Sequence, residues 1–278
     1  MESLAPLDVT PLMLPLHKEL MWCLRQLEES DWERPTVAGA WRVRDIVAHL
    51  LDGDLRKLSV YRDGHVLRMG GPAPDYVALT AMLNAFNDEW IRASKRLSPR
   101  LLIELVDDSG PRVAELLASL PPDGRSIFSV AWAGEEESAN WMDAGREYTE
   151  RWHHQMQVRS AVGMPMLLTP PWIHPLLDFS VRVLPVAYRQ LQRAPGTAVM
   201  LEVDGPMAGH TWSLVREEGW TVMRGAHPSP TTVLRLSADS AWRIFYNALA
   251  PDRARELLTV EGDEALVAPF LRARSVMV

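Results

Sequence analysis

The chain of 278 residues contains one cysteine, Cys23. An intrachain disulfide is excluded, and so is a thiolate cluster for a metal. Any metal site must therefore use histidine and carboxylate side chains. Lysine is nearly as scarce, limited to Lys18, Lys57 and Lys95. Arginine carries most of the positive charge, no Lys/Arg run occurs, and the net charge is -7. That balance argues against nucleic acid or an anionic membrane surface as a partner. Long apolar runs are missing too, since none reaches the ~18 residues that a membrane-spanning helix needs. The start, Met1-Glu2-Ser3, has neither the basic residues nor the apolar stretch of a secretory signal. A cytoplasmic location is expected.

What is present suits one large domain or two medium ones, with hydrophobic residues at 47% and charged residues at 23%. The two halves differ in texture. In the first, Leu12, Leu16, Leu20, Cys23, Leu24 and Leu27 recur at helical spacing and predict a helix over 8–29. A loop with Pro35 and Gly39 covers 31–40. Val43, Ile46, Val47, Leu50 and Leu51 form the stripe of a second helix, from Trp41 or Arg42 to about Asp63. Gly70, Gly71, Pro72 and Pro74 break the chain before a third helix, 76–97. A fourth is expected over 99–120, with Gly110-Pro111 as a point where it could split, and Pro121-Pro122-Asp123-Gly124 closes it. The fifth runs from 140 to 162 and is stopped by Gly163 and Pro165.

The second half reads as α+β. A helix over 174–191, kinked or bounded at Pro185, precedes strand-like runs at 198–203, 211–216, 220–224 and 232–236. Glu217-Glu218-Gly219 reads as a hairpin turn. Helices at 240–249 and 252–257, a strand at 258–261 and a last helix at 263–273 follow. Two domains are expected, 1–165 and 172–278.

The chemistry concentrates on the fifth helix. Glu150 precedes His154 by four residues, so both side chains share a helix face and can converge on one ion. His49 lies within Ile46-Val47-Ala48-His49-Leu50-Leu51, an apolar stretch where an unpaired imidazole would be costly. Taken alone, such a histidine is more often a core residue bonded to a carbonyl, and a Glu/His pair at this spacing is often a surface pair. His153 points about 100° away from His154, yet it stands three residues after Glu150 and is the alternative ligand. Asp52 and Gln157 are candidates to orient a metal-bound imidazole. Arg216 and Arg224, on predicted strands, could bind a carboxylate. Cys23 reads as core. His17, on the first helix, reads as a surface histidine.

Three parts of the chain carry a family resemblance. Asp31-Trp32-Glu33-Arg34-Pro35-Thr36, followed by Ala40-Trp41-Arg42-Val43-Arg44-Asp45-Ile46-Val47-Ala48-His49-Leu50, resembles the N-terminal signature of the DinB-like helical bundles. Within that superfamily it most resembles the mycothiol-dependent maleylpyruvate isomerase branch. Glu150-Arg151-Trp152-His153-His154-Gln155-Met156-Gln157 resembles the second metal motif of the superfamily. The segments from Leu201-Glu202-Val203 to Val260-Glu261-Gly262-Asp263 loosely resemble the sterol-carrier-like domain that follows the bundle in this branch. One departure is Arg42, which stands where Ser or Thr commonly caps the helix, so that Asp45 is not expected to complete a capping box.

The resemblance implies a multidomain fold, with an up-and-down four-helix bundle and a sterol-carrier-like α+β domain. It implies His49, Glu150 and His154 as ligands of a divalent metal. Zinc suits that donor set, and nickel, iron or manganese would also fit it. It implies a low-molecular-weight thiol such as mycothiol, a small electrophilic substrate, and an arginine of the second domain in catalysis, assigned here to Arg224. The expected function is a metal- and thiol-dependent isomerase or transferase. A metal-dependent hydrolase and a non-enzymatic ligand-binding protein with a structural metal are the alternatives. A monomer or homodimer is expected.

Overall fold

The computed structural model describes residues 1–67, 73, 75–204 and 210–277. The breakers Gly70, Gly71, Pro72 and Pro74 lie outside the described residues. The chain forms two compact units, one comprising Asp8–Ser129 and Glu137–Met166, the other Met1–Leu7, Val130–Glu136 and Leu167–Val278.

The first unit is helical. Its elements are α1 (Thr10–Leu24), α2 (Val43–Lys57), α3 (Tyr76–Ser94), α4 (Pro99–Ser119) and α5 (Asn140–Val162). Helices α1, α2, α4 and α5 pack on one another, and α3 lies against α2. Leu20, Cys23 and Leu24 of α1 meet Val43, Ile46, Val47 and Leu51 of α2, Leu102 and Val106 of α4 and Val158 of α5 in one core. Each fully buried aliphatic side chain contributes about 1.5–3 kcal/mol, so this stripe supplies the main drive to assemble the bundle.

The helix ends follow local chemistry. Ser98 accepts from the Leu101 amide at 3.3 Å and Asp75 from the Ala78 amide at 2.8 Å, so both satisfy amides of the first turn. Gly163 ends α5 with φ of 73°, a conformation that favours glycine. At α2 the expectation is half right. The Asp45 carboxylate accepts from the Arg42 amide at 3.0 Å, one half of a capping box, while the guanidinium of Arg42 has no acceptor to supply the other half. Helix α2 is prolonged by a wider turn over Leu58–Arg62, and a 3-10 turn, Glu29–Glu33, overlaps the start of the expected loop.

Gly110-Pro111 does not split α4. Gly110 is there to make room: a Cβ at this position would lie 2.2 Å from the Nδ1 of His17. His17 is accordingly 4% exposed, not a surface residue, and neither ring nitrogen has a hydrogen-bond partner among the described residues. Burial, with the charge of Arg151 adding to it, lowers its pKa to about 4.

The second unit has helices α6 (Pro170–Ser180), α7 (Leu184–Tyr188), α8 (Ala238–Phe245), α9 (Pro251–Glu256) and α10 (Val267–Leu271), and strands β1 (Glu2–Ser3), β2 (Ala198–Asp204), β3 (His210–Arg216), β4 (Trp220–Arg224), β5 (Thr232–Ser237) and β6 (Thr259–Gly262). The sheet order is β1-β4-β3-β2-β5-β6. Only the β2–β5 pairing is parallel among the described strands. The expected helix over 174–191 starts four residues earlier and is interrupted by a 3-10 turn, Val181–Val183, with Pro185 in the first turn of α7. Met1–Leu7 and Val130–Glu136, expected in the helical domain, belong to this unit. For Met1–Leu7 the reason is non-local: Glu2 and Ser3 pair with Arg224 and Met223 as an edge strand. The expected fold class, a helical bundle plus an α+β unit, is the one observed.

Candidate metal centre

Helix α5 is buried almost all round. Tyr148, Trp152 and Met156 are in the core, but so are Asp143, Glu147, Arg151, His153, His154, Gln155 and Gln157. Burying unpaired charge is expensive, and the sequence compensates across α2. Lys57 Nζ lies 2.9 Å from Asp143, which also accepts from Tyr61 at 2.7 Å and pairs with Arg146 at 2.6 Å. Arg151 pairs with Glu147 at 3.1 Å and with Asp54, whose second oxygen accepts from Ser109 at 2.6 Å. Three cations, Lys57, Arg146 and Arg151, thus face three anions, Asp54, Asp143 and Glu147. Burial opposes ionisation of Asp143, but Arg146 and Lys57 outweigh it and hold the carboxyl well below its usual range.

One turn further along α5 the pattern changes from ion pairs to imidazoles. His49 of α2 and Glu150 and His154 of α5 each offer a ligand atom, and these atoms all lie within 4.8 Å of one another. The His49 and His154 rings are 4.7 Å apart, centre to centre. His154 Nε2 is 3.3 Å from Glu150 Oε2. On its other side Nδ1 is 2.8 Å from the Gln157 side-chain oxygen. That oxygen can only accept, so Nδ1 donates, and Nε2 is the nitrogen turned toward the cluster. Trp41 closes one side, its ring 4.9 Å from His49 and 6.1 Å from His154.

The electrostatics suit a cation. Burial keeps His49 well below the ordinary imidazole range, and His154 adds to this. His49 is therefore neutral, with a lone pair to give. Burial works against ionisation of Glu150, but its contact with His154 outweighs this and holds the carboxyl well below the usual range. A neutral imidazole, a second imidazole with an outer-sphere acceptor and an ionised carboxylate are a donor set that fits zinc or a related divalent ion.

The other sequence candidates separate cleanly. His153 is not in the cluster. Its Nδ1 bonds to the Thr149 carbonyl at 2.8 Å, and burial lowers its pKa to about 3. Asp52 pairs with Arg56 at 2.9 Å and does not orient His49. Gln157 does bond to His154, in the orienting role considered for it. Cys23 is fully buried, its Sγ 3.3 Å from the Met164 sulfur, and burial raises its pKa to about 11. Arg216 donates to the Glu217 carbonyl at 2.8 Å. Arg224, on β4, pairs with Asp178 of α6. The sequence reasoning did not single out Asp178, His174 or His210, which surround Arg224; His174 and Asp178 are an i, i+4 pair on α6, but no spacing joins them to His210 or Arg224 on the strands.

A helical bundle with an inward-facing His/Glu/His cluster, followed by a six-stranded α+β unit, defines the architectural class. The chain belongs to the mycothiol maleylpyruvate isomerase N-terminal domain family, whose model matches residues 13–159. Among solved structures, it is similar to a mycothiol-dependent maleylpyruvate isomerase with a TM-score of 0.58 at 13% identity, over 94% of this chain and 96% of that one. A histidine-to-alanine mutant of a mycothiol-dependent maleylpyruvate isomerase matches over the same shares, with a TM-score of 0.56 and 13% identity. These likenesses establish the fold. Sterol carrier protein domain 2 of Helicoverpa armigera overlaps 34% of this chain and 72% of its own, at 15% identity, with a TM-score of 0.24, too slight to argue from. No curated protein matches the chain. No helix among the described residues is long and apolar enough to cross a membrane.

Proposed function

We propose that the chain is a thiol-dependent isomerase or transferase acting on a small electrophilic substrate, with a divalent metal held by His49, Glu150 and His154. The observation that carries this reading is the convergence of those three ligand atoms beside a histidine oriented by Gln157. Membership of the family supports the thiol, with mycothiol as the first candidate. Two nitrogens and one oxygen leave a tetrahedral ion one position short. Bound there, a zinc ion would favour the deprotonated form of a coordinated thiol, a strong nucleophile at neutral pH. The chain's own residues do the rest. Gln157 holds His154 in one orientation, burial keeps His49 neutral, and Trp41 restricts water at the imidazoles. Arg224, with its side chain 48% exposed, would hold an anionic group of the substrate.

The test uses cobalt-substituted protein titrated with small thiols, mycothiol among them. A sulfur-to-cobalt charge-transfer band is expected in the parent protein and not in His49→Ala. If no thiol perturbs the cobalt spectrum, the thiol-dependent reading fails and a structural metal becomes the better account.

A further inference from the structure

The second unit carries its own polar cluster where α6 meets β3 and β4. His174 and Asp178 are one turn apart on α6. His210 and Trp212 alternate on β3 and so share a face of the sheet. Arg224 sits opposite Trp212 in the β3–β4 register. Asp178 accepts from the Trp212 indole N–H at 3.0 Å and pairs with Arg224. The His174 and His210 rings meet edge to face.

Packing accounts for Asp178 but not for its neighbours. His210 is 8% exposed, and its Nε2 has no hydrogen-bond partner among the described residues. A buried polar atom left unpaired costs about 1–3 kcal/mol. Arg224 spends one nitrogen of its five-donor fork on Asp178. The rest of the fork is available on a half-exposed side chain.

The unspent groups decide the sign of the ligand. Each Asp178 oxygen already accepts a hydrogen bond, from Trp212 or from Arg224, and Arg224 beside it repels a cation. Burial, then His174 and Arg224, lower the His210 pKa to about 4; burial lowers that of His174 as well, Asp178 opposing and Arg224 assisting. Both imidazoles are neutral at pH 7 and each carries one N–H. Glu2, the cross-strand neighbour of Arg224, is exposed at the sheet edge. What remains is a set of N–H donors around a guanidinium, which is chemistry for an oxyanion.

We propose that His174, His210 and Arg224 form a carboxylate-binding site, with His210 donating from Nε2, Arg224 from its unspent N–H groups, and Asp178 positioning Arg224. The part played by Arg224 rests on the function proposed above; the two histidines do not.

The experiment is a titration of the full chain with succinate, followed by the imidazole signals in long-range proton–nitrogen spectra, with His65→Gln as an exposed control. Saturable shifts of the His174 and His210 signals are expected. Affinity should fall at least tenfold in His210→Gln and in Arg224→Gln and stay unchanged in His65→Gln. His174→Gln provides a second variant if His210→Gln does not fold, and near-ultraviolet circular dichroism reports folding of each. Absence of saturable shifts overturns the proposal. Binding that is lost in Arg224→Gln but retained in both histidine variants also overturns it, while leaving the reading of Arg224 standing. The cobalt–thiol titration is independent of every one of these outcomes.

Discussion

At the scale of single residues, the candidate centre depends on which atom of each side chain is already committed. His154 gives Nδ1 to Gln157 and turns Nε2 toward Glu150, whereas His153 has committed Nδ1 to a backbone carbonyl. His49→Ala and His154→Ala are therefore expected to lose most of their bound metal, and His153→Ala to keep it; elemental analysis of the purified variants measures this. Equal loss in the His153 variant would mean that the ligand face of α5 is misassigned. Removing an outer partner of a ligating histidine typically costs 10–100-fold in metal affinity. Gln157→Leu should fall in that range in a competition titration with a chelating dye, with folding retained. An unchanged affinity would show that Gln157 does not set the orientation of His154.

At the scale of elements, α1 and α4 meet through a single missing side chain. Gly110→Ala places a methyl group 2.2 Å from the His17 ring, and overpacking of this kind costs about 1–3 kcal/mol. Urea unfolding should show that loss, and Gly110→Ala combined with His17→Ala should recover much of it. The same contact sets a pH dependence. The folded pKa of His17 is lowered from 6.5 to about 4, so below pH 6.5 the unfolded chain takes up a proton that the folded chain refuses. Stability contributed by neutral His17 is complete above that pH and declines as pH falls toward 4, by up to about 3 kcal/mol at 1.36 kcal/mol per unit. His17→Gln should flatten the unfolding free energy over that interval, and a parallel decline in both proteins would contradict the assignment. The elements themselves were largely legible. Helix α5 runs over the residues that its Gly163 and Pro165 stop signals delimited, because capping chemistry is local. Helix α4 was not legible at Gly110-Pro111, because a glycine needed for a close approach is indistinguishable in sequence from a helix breaker.

At the scale of the whole molecule, we propose two domains that meet the chain boundary at 163–173 and fold as separate cores. The chain does not divide as simply as its order suggests, since Met1–Leu7 and Val130–Glu136 belong with Leu167–Val278. Limited proteolysis is expected to cut between 163 and 173. The two fragments should then co-elute in size exclusion, because Glu2 and Ser3 of the first remain paired with Met223 and Arg224 of the second. Fragments that separate without denaturant would show that this strand pairing holds nothing together. No cut in that interval would count against the two-domain proposal.

By itself the sequence determined the periodic helices, the positions of β2 to β6 along the chain, the change from a helical half to an α+β half and the i, i+4 placement of Glu150 and His154, all of which follow from patterns within a few residues. It also placed His49 in an apolar stripe, though not which nitrogen would face the cluster. Only the tertiary structure decided that His17 is buried against Gly110, that Asp54 answers Arg151 across two helices, that a two-residue strand at the chain start completes the sheet, and that His174 and His210 meet beside Arg224. Each of these joins residues distant in sequence, where packing and charge compensation select the partner and no local spacing records the choice.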